Sequence, residues 1–355
     1  MRDIRRLAEI GRHHYLSKVN QELGQAGIDD VKVLHPCLKR IYSAIDYESI
    51  KESLTLFKLL DGEVGPLDIR DARVVDDPLE LAVFNKGALT LQILPENRLA
   101  VWEVSTDPAA LQGKALAYVY DRKVGERFWV NGVLSETSVQ VGYPLFAAPL
   151  FYDLHAALKT YAVMHARSSE CPILVDAWRE PARVMWRPKP EAIMRKSLYH
   201  FLRISLRDGR PDIQQEALAD DQYPVDITVR WAESNRIGIV EIKWLGKSGD
   251  LDPPRVTKTY SEGRAADGLR QLVDYLELTK VRAPLFDRRG YLVVFDGRRA
   301  RVRPETAMCE RSHGMAYENK NITYDPTHLA RHDIAEPVRC FCEPRWVHAS
   351  PSGGH

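Results

Sequence analysis

The chain has 355 residues, of which 45 % are hydrophobic and 28 % charged, and its formal net charge is +1. This length is typical of about two domains, and the near-neutral charge excludes a uniformly basic protein, so any nucleic-acid contact must come from local basic patches. No apolar run approaches the ~18 residues of a membrane span, the charged N-terminus lacks the apolar region of a signal peptide, and five cysteines do not suggest a disulfide framework. We therefore expect a cytoplasmic protein without membrane contact.

The first half of the chain alternates between helical and strand patterns. Apolar residues at helical spacing predict helices over residues 2–25, 38–60 and 151–167. Strand patterns lie between them, in "LELAVFNKGALTLQILPENRLAVWEVS" and in the hairpin-like "ALAYVYDRKVGERFWVNGVLS". The basic residues of the first helix fit either a solvated face or a phosphate-binding face: Arg2, Arg5, Arg6, Arg12 and Lys18. Residues 1–187 are predicted to form an α+β recognition or regulatory domain of unknown type.

The character of the sequence changes in "WREPARVMWRPKPEA", where Pro181, Pro188 and Pro190 lie close together, as in a linker or a domain entry. The downstream pattern predicts helices over 191–207 and 266–279 and strands over 214–219, 225–231, 237–244 and 291–296. Hairpin-like strands followed by a crossover helix and a further strand indicate a mixed α/β sheet flanked by helices. We predict this domain over residues 188–303, followed by a C-terminal extension over 304–355.

Two of these predicted strands carry charges inside apolar runs. Asp226 interrupts residues 225–229, and Glu241 and Lys243 interrupt residues 239–244. Because side chains alternate between the faces of a strand, each strand can bury one apolar face and present its charges on the other. The residues assigned to the buried face are Val225, Ile227, Val229, Val240, Ile242 and Trp244. Paired as neighbours, the strands would bring the three charges into one cluster.

Such a cluster is expensive to bury unless it binds something. Two carboxylates are hard oxygen ligands suited to Mg²⁺ or Mn²⁺, and a neighbouring Lys can offset charge or orient a water. The alternative is a pair of edge strands with solvated charges. The apolar residues packed around each charge favour a site.

Pro224-Val225-Asp226 followed by Glu241-Ile242-Lys243 resembles the PD-(D/E)XK nuclease superfamily. Val225 stands where many members place the Pro directly before the Asp. The resemblance extends to Glu191 at the start of the preceding helix, and to Gln271 and Tyr275, which i,i+4 spacing puts on one face of the following helix. It covers about residues 188–303 and implies a restriction-endonuclease-like fold; no motif is matched in residues 1–187.

The resemblance implies a role for each of these residues. Asp226 and Glu241 would bind Mg²⁺ or Mn²⁺, joined by the backbone carbonyl of Ile242, and Lys243 would orient the attacking water. An additional acidic residue is implied, for which both Glu191 and Glu216 are candidates. Helix capping is an ordinary explanation for Glu191, since it follows Pro190 at a helix start. Gln271 and Tyr275 would support the site or contact phosphate, unless they form only a polar patch on an exposed helix.

Two further groups of residues each have two possible interpretations. The Arg residues of "FDRRGYLVVFDGRRARVR" could follow a phosphate backbone or form a solvated rim: Arg288, Arg289, Arg298, Arg299, Arg301 and Arg303. The tail contains residues that could bind a structural zinc or be unrelated: Cys309, His313, His328, His332, Cys340 and Cys342. The Cys-X-Cys spacing argues against zinc, because a strand points the two sulfurs to opposite faces.

The resemblance therefore implies a Mg²⁺-dependent deoxyribonuclease, expected to be an endonuclease of restriction or antiviral defence because the unmatched N-terminal half would serve recognition or regulation. RNA is the alternative substrate. Two alternative functions remain open: a nuclease-derived DNA-binding or scaffold module that does not cut, and a strand-cleaving subunit of a transposition or recombination complex. A homodimer, or a protein partner bound through the N-terminal domain, is compatible with each.

Overall fold

The computed structural model describes residues 2–84, 87–130, 133–135, 144, 146–147, 150–207, 210–220 and 223–345. The chain divides into two compact units, Met1–Pro149 and Leu150–His355. Each unit is built on one mixed sheet with helices, which confirms the α/β class. Within the described ranges, no helix combines the length and the apolar character that a membrane crossing requires.

The N-terminal unit contains a seven-stranded sheet in the order β2-β4-β3-β1-β5-β6-β7. Its strands are β1 (Ser53–Leu59), β2 (Arg73–Val75), β3 (Ala88–Ile93), β4 (Leu99–Trp102), β5 (Ala115–Asp121), β6 (Gly125–Val130) and β7 (Val133–Ser135). Strand β1 is parallel to β3 and antiparallel to β5. Helix α1 (Arg2–Ala44), interrupted at Gly24, packs Leu34 and Ile41 onto Leu54 and Leu56 of β1. The side chains of residues 2–14, with the basic residues predicted there, lie outside the described part.

Two sequence predictions in this unit are wrong. The helix predicted over 38–60 ends at Ala44, and β1 begins at Ser53. Both faces of β1 are covered, with Leu54 and Leu56 in the cluster beneath α1 and Phe57 in a second cluster, so the alternation of polar and apolar residues breaks after Leu56. The strand predicted from "LELAVF" is instead a 3-10 helix, Pro78–Val83, because Asp77 forms a capping box with Glu80.

The C-terminal unit contains a six-stranded sheet in the order β13-β12-β10-β9-β8, with β11 paired to the far half of β10. Its strands are β8 (Asp212–Asp220), β9 (Tyr223–Trp231), β10 (Arg236–Leu251), β11 (Pro254–Tyr260), β12 (Asp287–Asp296) and β13 (Val338–Phe341). Its helices are α2 (Leu150–Tyr161), α3 (Glu191–Ser205), α4 (Gly263–Arg282), α5 (Arg311–Gly314) and α6 (Pro326–Leu329). Strands β8, β9 and β10 are antiparallel neighbours, whereas β10, β12 and β13 run parallel. Every element predicted between residues 191 and 296 is present, while β11 and β13 were not predicted.

Helices cover both faces of this sheet. On one face, Leu269 and Leu272 of α4 pack with Ile239 of β10 and Leu292 of β12. Adjacent residues on β12 point to the opposite face, where the Tyr291 hydroxyl donates to the Phe151 carbonyl of α2 at 3.0 Å. Glu241 and Lys243 alternate with Val240 and Ile242 along β10 and therefore lie on the α4 face, with Ile239.

The division between units falls between Pro149 and Leu150, well before the boundary predicted near Pro188. The proline-rich segment belongs to the core of the C-terminal unit, because the Trp186 amide donates to the Lys247 carbonyl and its Nε1 donates to the Leu245 carbonyl, each at 2.9 Å. The predicted C-terminal extension is also part of this unit, since β13 adds a strand beside β12. Residues 346–355 of that extension lie outside the described ranges.

Candidate functional site

The register of β9 and β10 brings the charged residues together. Thr228 pairs with Ile239 and Ile227 with Val240, and the paired stretch ends there. Continued by one residue on each strand, this register sets Asp226 opposite Glu241, and cross-strand partners share a face. Asp226 is 6 % exposed, and Glu241 and Lys243 are each 2 % exposed. The predicted juxtaposition of buried charges is therefore present in the fold.

Val225 lies on a different face of the sheet from the one that strict alternation predicts. Val225 packs with Ile239 and the α4 residues, on the face opposite to the one predicted for it. The departure occurs beside Glu216 of β8, whose φ is 50°, in the left-handed region that residues other than Gly seldom adopt. This local irregularity lies directly next to Asp226 and interrupts the alternation of the strand.

Both oxygens of the Asp226 carboxylate have a donor. Nη1 of Arg195, on α3, donates to Oδ1 at 2.7 Å, and the Ile242 amide donates to Oδ2 at 2.8 Å. Arg195 also forms an ion pair with Glu216. The sequence interpretation missed Arg195, although it lies four residues after Glu191 and thus on the same helix face. Ile242, predicted to contribute its carbonyl, contributes its N–H to the arrangement.

Glu241 and Lys243 form a buried ion pair in which the Nζ of Lys243 donates to Oε1 of Glu241. They are two residues apart on β10 and so point to the same face. Burial and the charge of Asp226 raise the pKa of Glu241 to about 8, against the opposing effect of Lys243. The ionised form of Glu241 is therefore disfavoured, chiefly by burial, even with the Lys243 ion pair in place.

The remaining predicted residues surround this pair. Glu191 is partly buried, and burial together with the charge of Asp226 raises its pKa, while Lys243 lowers it. Gln271 donates to the hydroxyl of Tyr275 across one turn of α4. Burial and then the charge of Glu241 raise the pKa of Tyr275 to about 12. Of the two candidates for the additional acidic residue, Glu191 lies within electrostatic reach of the cluster, whereas Glu216 is exposed and paired with Arg195.

Across the described residues, no group of three or more His, Cys, Asp or Glu side chains is arranged to hold a metal ion. Cys340 and Cys342 are fully buried, and the thiol of Cys342 donates to the Cys340 carbonyl. For the charged cluster, the donors that lie together are the carboxylates of Asp226 and Glu241.

The predicted basic surface is only partly a surface. Arg298 and Arg299 are each 8 % exposed. Arg298 binds Asp296 through two hydrogen bonds of 2.9 and 2.7 Å, and Arg299 donates to carbonyls of the interior, so these two side chains do not form the predicted phosphate track. Arg288 and Arg289 pair with the first residues of β10, at the far end of β12 from the level of Glu241. Arg301 and Arg303 are exposed.

A cleft of about 210 Å³ lies beside the charged cluster on the α4 face. Thr228 and Ile239, which line it, are each two residues along their strands from Asp226 and Glu241. Thr279 lines it from α4, one turn after Tyr275. The other lining residues are Asp212, Gln214, Val225, Arg230, Ile237, Arg282 and Ala283. The cleft is thus lined by two arginines, Arg230 and Arg282, a feature that the sequence interpretation missed.

The chemical capacity of the cluster follows from its donors. Buried carboxylates can bind a hard divalent cation, and Glu241, whose pKa is raised, can exchange a proton. The ammonium of Lys243 can donate to an anionic group placed beside Glu241. Searches against protein-family models, curated proteins and solved structures returned no match.

Proposed function

We propose that the chain is a metal-dependent nuclease that hydrolyses phosphodiester bonds of DNA. The observation that carries this proposal is the burial of Asp226 and Glu241 side by side where the pairing of β9 and β10 ends, with Lys243 bound to Glu241. Buried like charges are unfavourable unless basic side chains or a bound metal ion compensate them. The order of elements around them, a helix, three antiparallel strands, a helix and a parallel strand, supports the restriction-endonuclease-like assignment.

The donors fit Mg²⁺ or Mn²⁺. Mg²⁺ is commonly held by one or two carboxylates, with water and substrate phosphate completing its ligands. Each carboxylate oxygen has two lone pairs, so Asp226 can accept a further bond beside those from Arg195 and Ile242. Asp226 and Glu241 would hold the cation, which supplies stabilisation of the charge developing on the phosphate and lowers the pKa of the attacking water.

The chain's own residues complete the proposed chemistry. Lys243 uses one N–H on Glu241 and can direct the others to the attacking water or a phosphate oxygen. Glu191, whose pKa is raised, is placed to hold a proton near the same point. The hydrogen-bonded pair of Gln271 and Tyr275 is suited to hydrogen-bonding a phosphate oxygen next to the cluster.

We place the nucleic-acid strand along the cleft beside the carboxylates. Arg230 and Arg282 are both exposed and line this cleft, where they could bind backbone phosphates of that strand. Restriction or antiviral defence is the proposed setting, with the N-terminal unit selecting or gating the substrate. Its compact, separate core is what supports that division of labour.

The test is cleavage by the purified chain of plasmid, linear and single-stranded DNA and of RNA, each with Mg²⁺, Mn²⁺ or EDTA. Asp226→Ala and Glu241→Ala should reduce the rate by orders of magnitude while circular dichroism stays native. Asp267→Asn removes an exposed carboxylate from α4 and serves as the matched control. Cleavage in EDTA, or full activity in either alanine variant, would contradict the proposal.

One observation favours a second candidate, a nuclease-derived binding module that does not cut. Each carboxylate already has an internal cation, Arg195 for Asp226 and Lys243 for Glu241. A chain that never binds a metal would have such pairs permanently. This candidate predicts DNA binding that is equal in EDTA and Mn²⁺, with no cleavage of any substrate.

A further inference from the structure

Arg195 lies between two carboxylates that differ in environment. Nη1 donates to Oδ1 of Asp226 at 2.7 Å, and Nη2 contacts Oε1 of Glu216. The Asp226 side chain is 8 % exposed and that of Glu216 is 61 % exposed. The guanidinium of Arg195 is a rigid fork of N–H donors, so it can keep one partner while it releases the other.

The outer acceptor belongs to an irregular piece of β8. Gln215 pairs with Ile227 and Ala217 pairs with Val225, and Glu216 lies between them with a φ of 50°. A residue other than Gly keeps such a conformation only where the surrounding structure holds it, and such residues cluster at functional sites. Here the irregular position lies opposite Asp226, and its carboxylate meets the guanidinium that also binds Asp226.

We propose, resting on the proposed function, that Arg195 competes with the divalent cation for Asp226 and that Glu216 retains Arg195 when the cation binds. Without a cation, Arg195 supplies positive charge to a buried carboxylate. A cation on Asp226 and Glu241 would face the Arg195 guanidinium across one carboxylate, and like charges at that separation repel. The exposed Glu216 then keeps the guanidinium paired. Arg195 is in this sense a positioning residue that sets the affinity of the site for its cation.

This arrangement predicts effects of opposite sign for its two members. Arg195→Gln removes the competitor and should tighten Mn²⁺ binding about tenfold, the size of effect that one charge has on a neighbouring carboxylate. Glu216→Gln leaves Arg195 with Asp226 alone and should weaken Mn²⁺ binding about threefold. In the double variant, the effect of Glu216→Gln should vanish and the affinity should equal that of Arg195→Gln.

The measurement is Mn²⁺ titration of the full chain without nucleic acid, by calorimetry or by electron paramagnetic resonance of the free ion. Arg203→Gln is the matched control, because Arg203 is an exposed arginine on the same helix and its loss should leave the affinity unchanged. Should Arg195→Gln fold poorly, Arg195→Met, which keeps an apolar stem without the charge, should likewise tighten Mn²⁺ binding and remove the effect of Glu216→Gln.

The possible outcomes separate the two proposals. A wild-type chain that does not bind Mn²⁺ would overturn the metal site and this role of Arg195 with it. A wild-type chain that binds Mn²⁺, with Arg195→Gln unchanged or weaker, would overturn the competition alone and leave the proposed function standing. A Glu216→Gln effect that persists without Arg195 would show a plain long-range charge effect and would also overturn the competition.

Discussion

Gly268 of α4 lies directly against the side chain of Lys243 of β10. A Cβ on Gly268 would be 2.5 Å from Cγ and 3.1 Å from Cε of Lys243, and 3.0 Å from Cδ1 of Leu292. The first distance is shorter than side-chain contacts allow, so the absence of a side chain at Gly268 makes room for the lysine stem. The stem runs beneath the helix to bring the ammonium to Glu241.

Gly268→Ala should therefore impair the proposed chemistry through Lys243. Overpacking of a filled interior costs about 1–3 kcal/mol, and here the stem of Lys243 would have to move. We expect a lower melting temperature and a cleavage rate that falls much more than DNA affinity. Thermal unfolding, single-turnover cleavage and binding in EDTA measure the three quantities.

Gly263→Ala is the control for the first prediction. Gly263 begins the same helix, and its nearest neighbour for an added Cβ is Oγ of Ser261 at 3.9 Å, an ordinary contact. This variant should cleave like the wild type. Equal rates in the Gly268 and Gly263 variants would contradict the proposed link between Gly268 and Lys243.

Lys243→Ala should separate chemistry from binding. Because Lys243 is buried beneath α4, it contributes little to the exposed surface that holds a nucleic-acid backbone. We expect DNA affinity close to that of the wild type and a cleavage rate lower by orders of magnitude. Equal losses of affinity and rate would instead identify Lys243 as a simple phosphate contact.

The raised pKa of Glu241 predicts how stability depends on pH. Its pKa is about 8 in the folded chain against an ordinary value of 4.5, so the folded state binds more protons than the unfolded state between these values. The contribution of Glu241 to the free energy of unfolding is fully present below the lower pKa and is lost as the pH rises through the higher pKa. The limiting slope of this loss is about 1.4 kcal/mol per pH unit.

Glu241→Gln should flatten that decline. Urea unfolding of both proteins at about pH 5.5 and about pH 7.5 gives the comparison, and the difference between the two slopes isolates the group. A wild-type chain that gains stability relative to Glu241→Gln as pH rises would contradict the assigned direction. Saturating Mn²⁺ should also flatten the slope, because a bound cation favours the ionised carboxylate.

The residues of the cluster could be predicted because the relevant rules are local. Alternation along a strand places Glu241 and Lys243 on one face whatever the rest of the fold does. Arg195 could not be placed in this way, since its contact with Asp226 depends on how α3 packs against the sheet. Gly268 carried one usable signal, a glycine inside an amphipathic helical pattern, which is typical of close packing.

The burial of the arginines and the position of the domain boundary could not be predicted from such local rules. Arg residues are mostly exposed, so a run of them predicts a surface. Asp296 is fully buried, however, and binds Arg298 together with Arg339, which is distant in sequence. Prolines likewise predict a linker, but Trp186 lies in the core of the unit and donates to the Leu245 carbonyl. Long-range partners of this kind are not visible in the sequence.

The nucleic-acid surface can be tested with paired arginine variants. Arg230→Gln with Arg282→Gln should weaken DNA binding for all sequences alike and flatten its dependence on salt, because fewer counterions are released. Arg299→Gln should lower the melting temperature, since the buried guanidinium donates to the Cys342 carbonyl. Arg301→Gln, at an exposed position, tests what remains of the surface predicted from sequence. An unchanged salt slope in the Arg230 and Arg282 variant would place the DNA elsewhere.

The unit boundary predicts which fragments fold. A fragment from Leu150 to the C-terminus keeps α2, whose Leu154 packs on Gly238 of β10 and whose Tyr161 donates to Ser197 of α3 at 2.8 Å. A fragment from Pro188 loses α2 together with Trp178 and Trp186, and it exposes the apolar sheet face that they cover. We expect the first fragment to be soluble with cooperative melting and the second to aggregate.

The longer fragment also tests where the proposed cation site resides. Asp226, Glu241 and their contacts to Arg195 and Lys243 all lie after residue 150. Mn²⁺ should therefore stabilise this fragment and raise its melting temperature. At a Mn²⁺ concentration of one hundred times Kd, the free energy of unfolding should increase by about 2.7 kcal/mol. Asp226→Ala in the same fragment should abolish the increase.

The fragment should cut DNA more broadly than the full chain or not at all, because it lacks the unit proposed to select the substrate. An insoluble Leu150 fragment, or a soluble one with no Mn²⁺-dependent increase, would mean that folding or cation binding requires residues of the N-terminal unit.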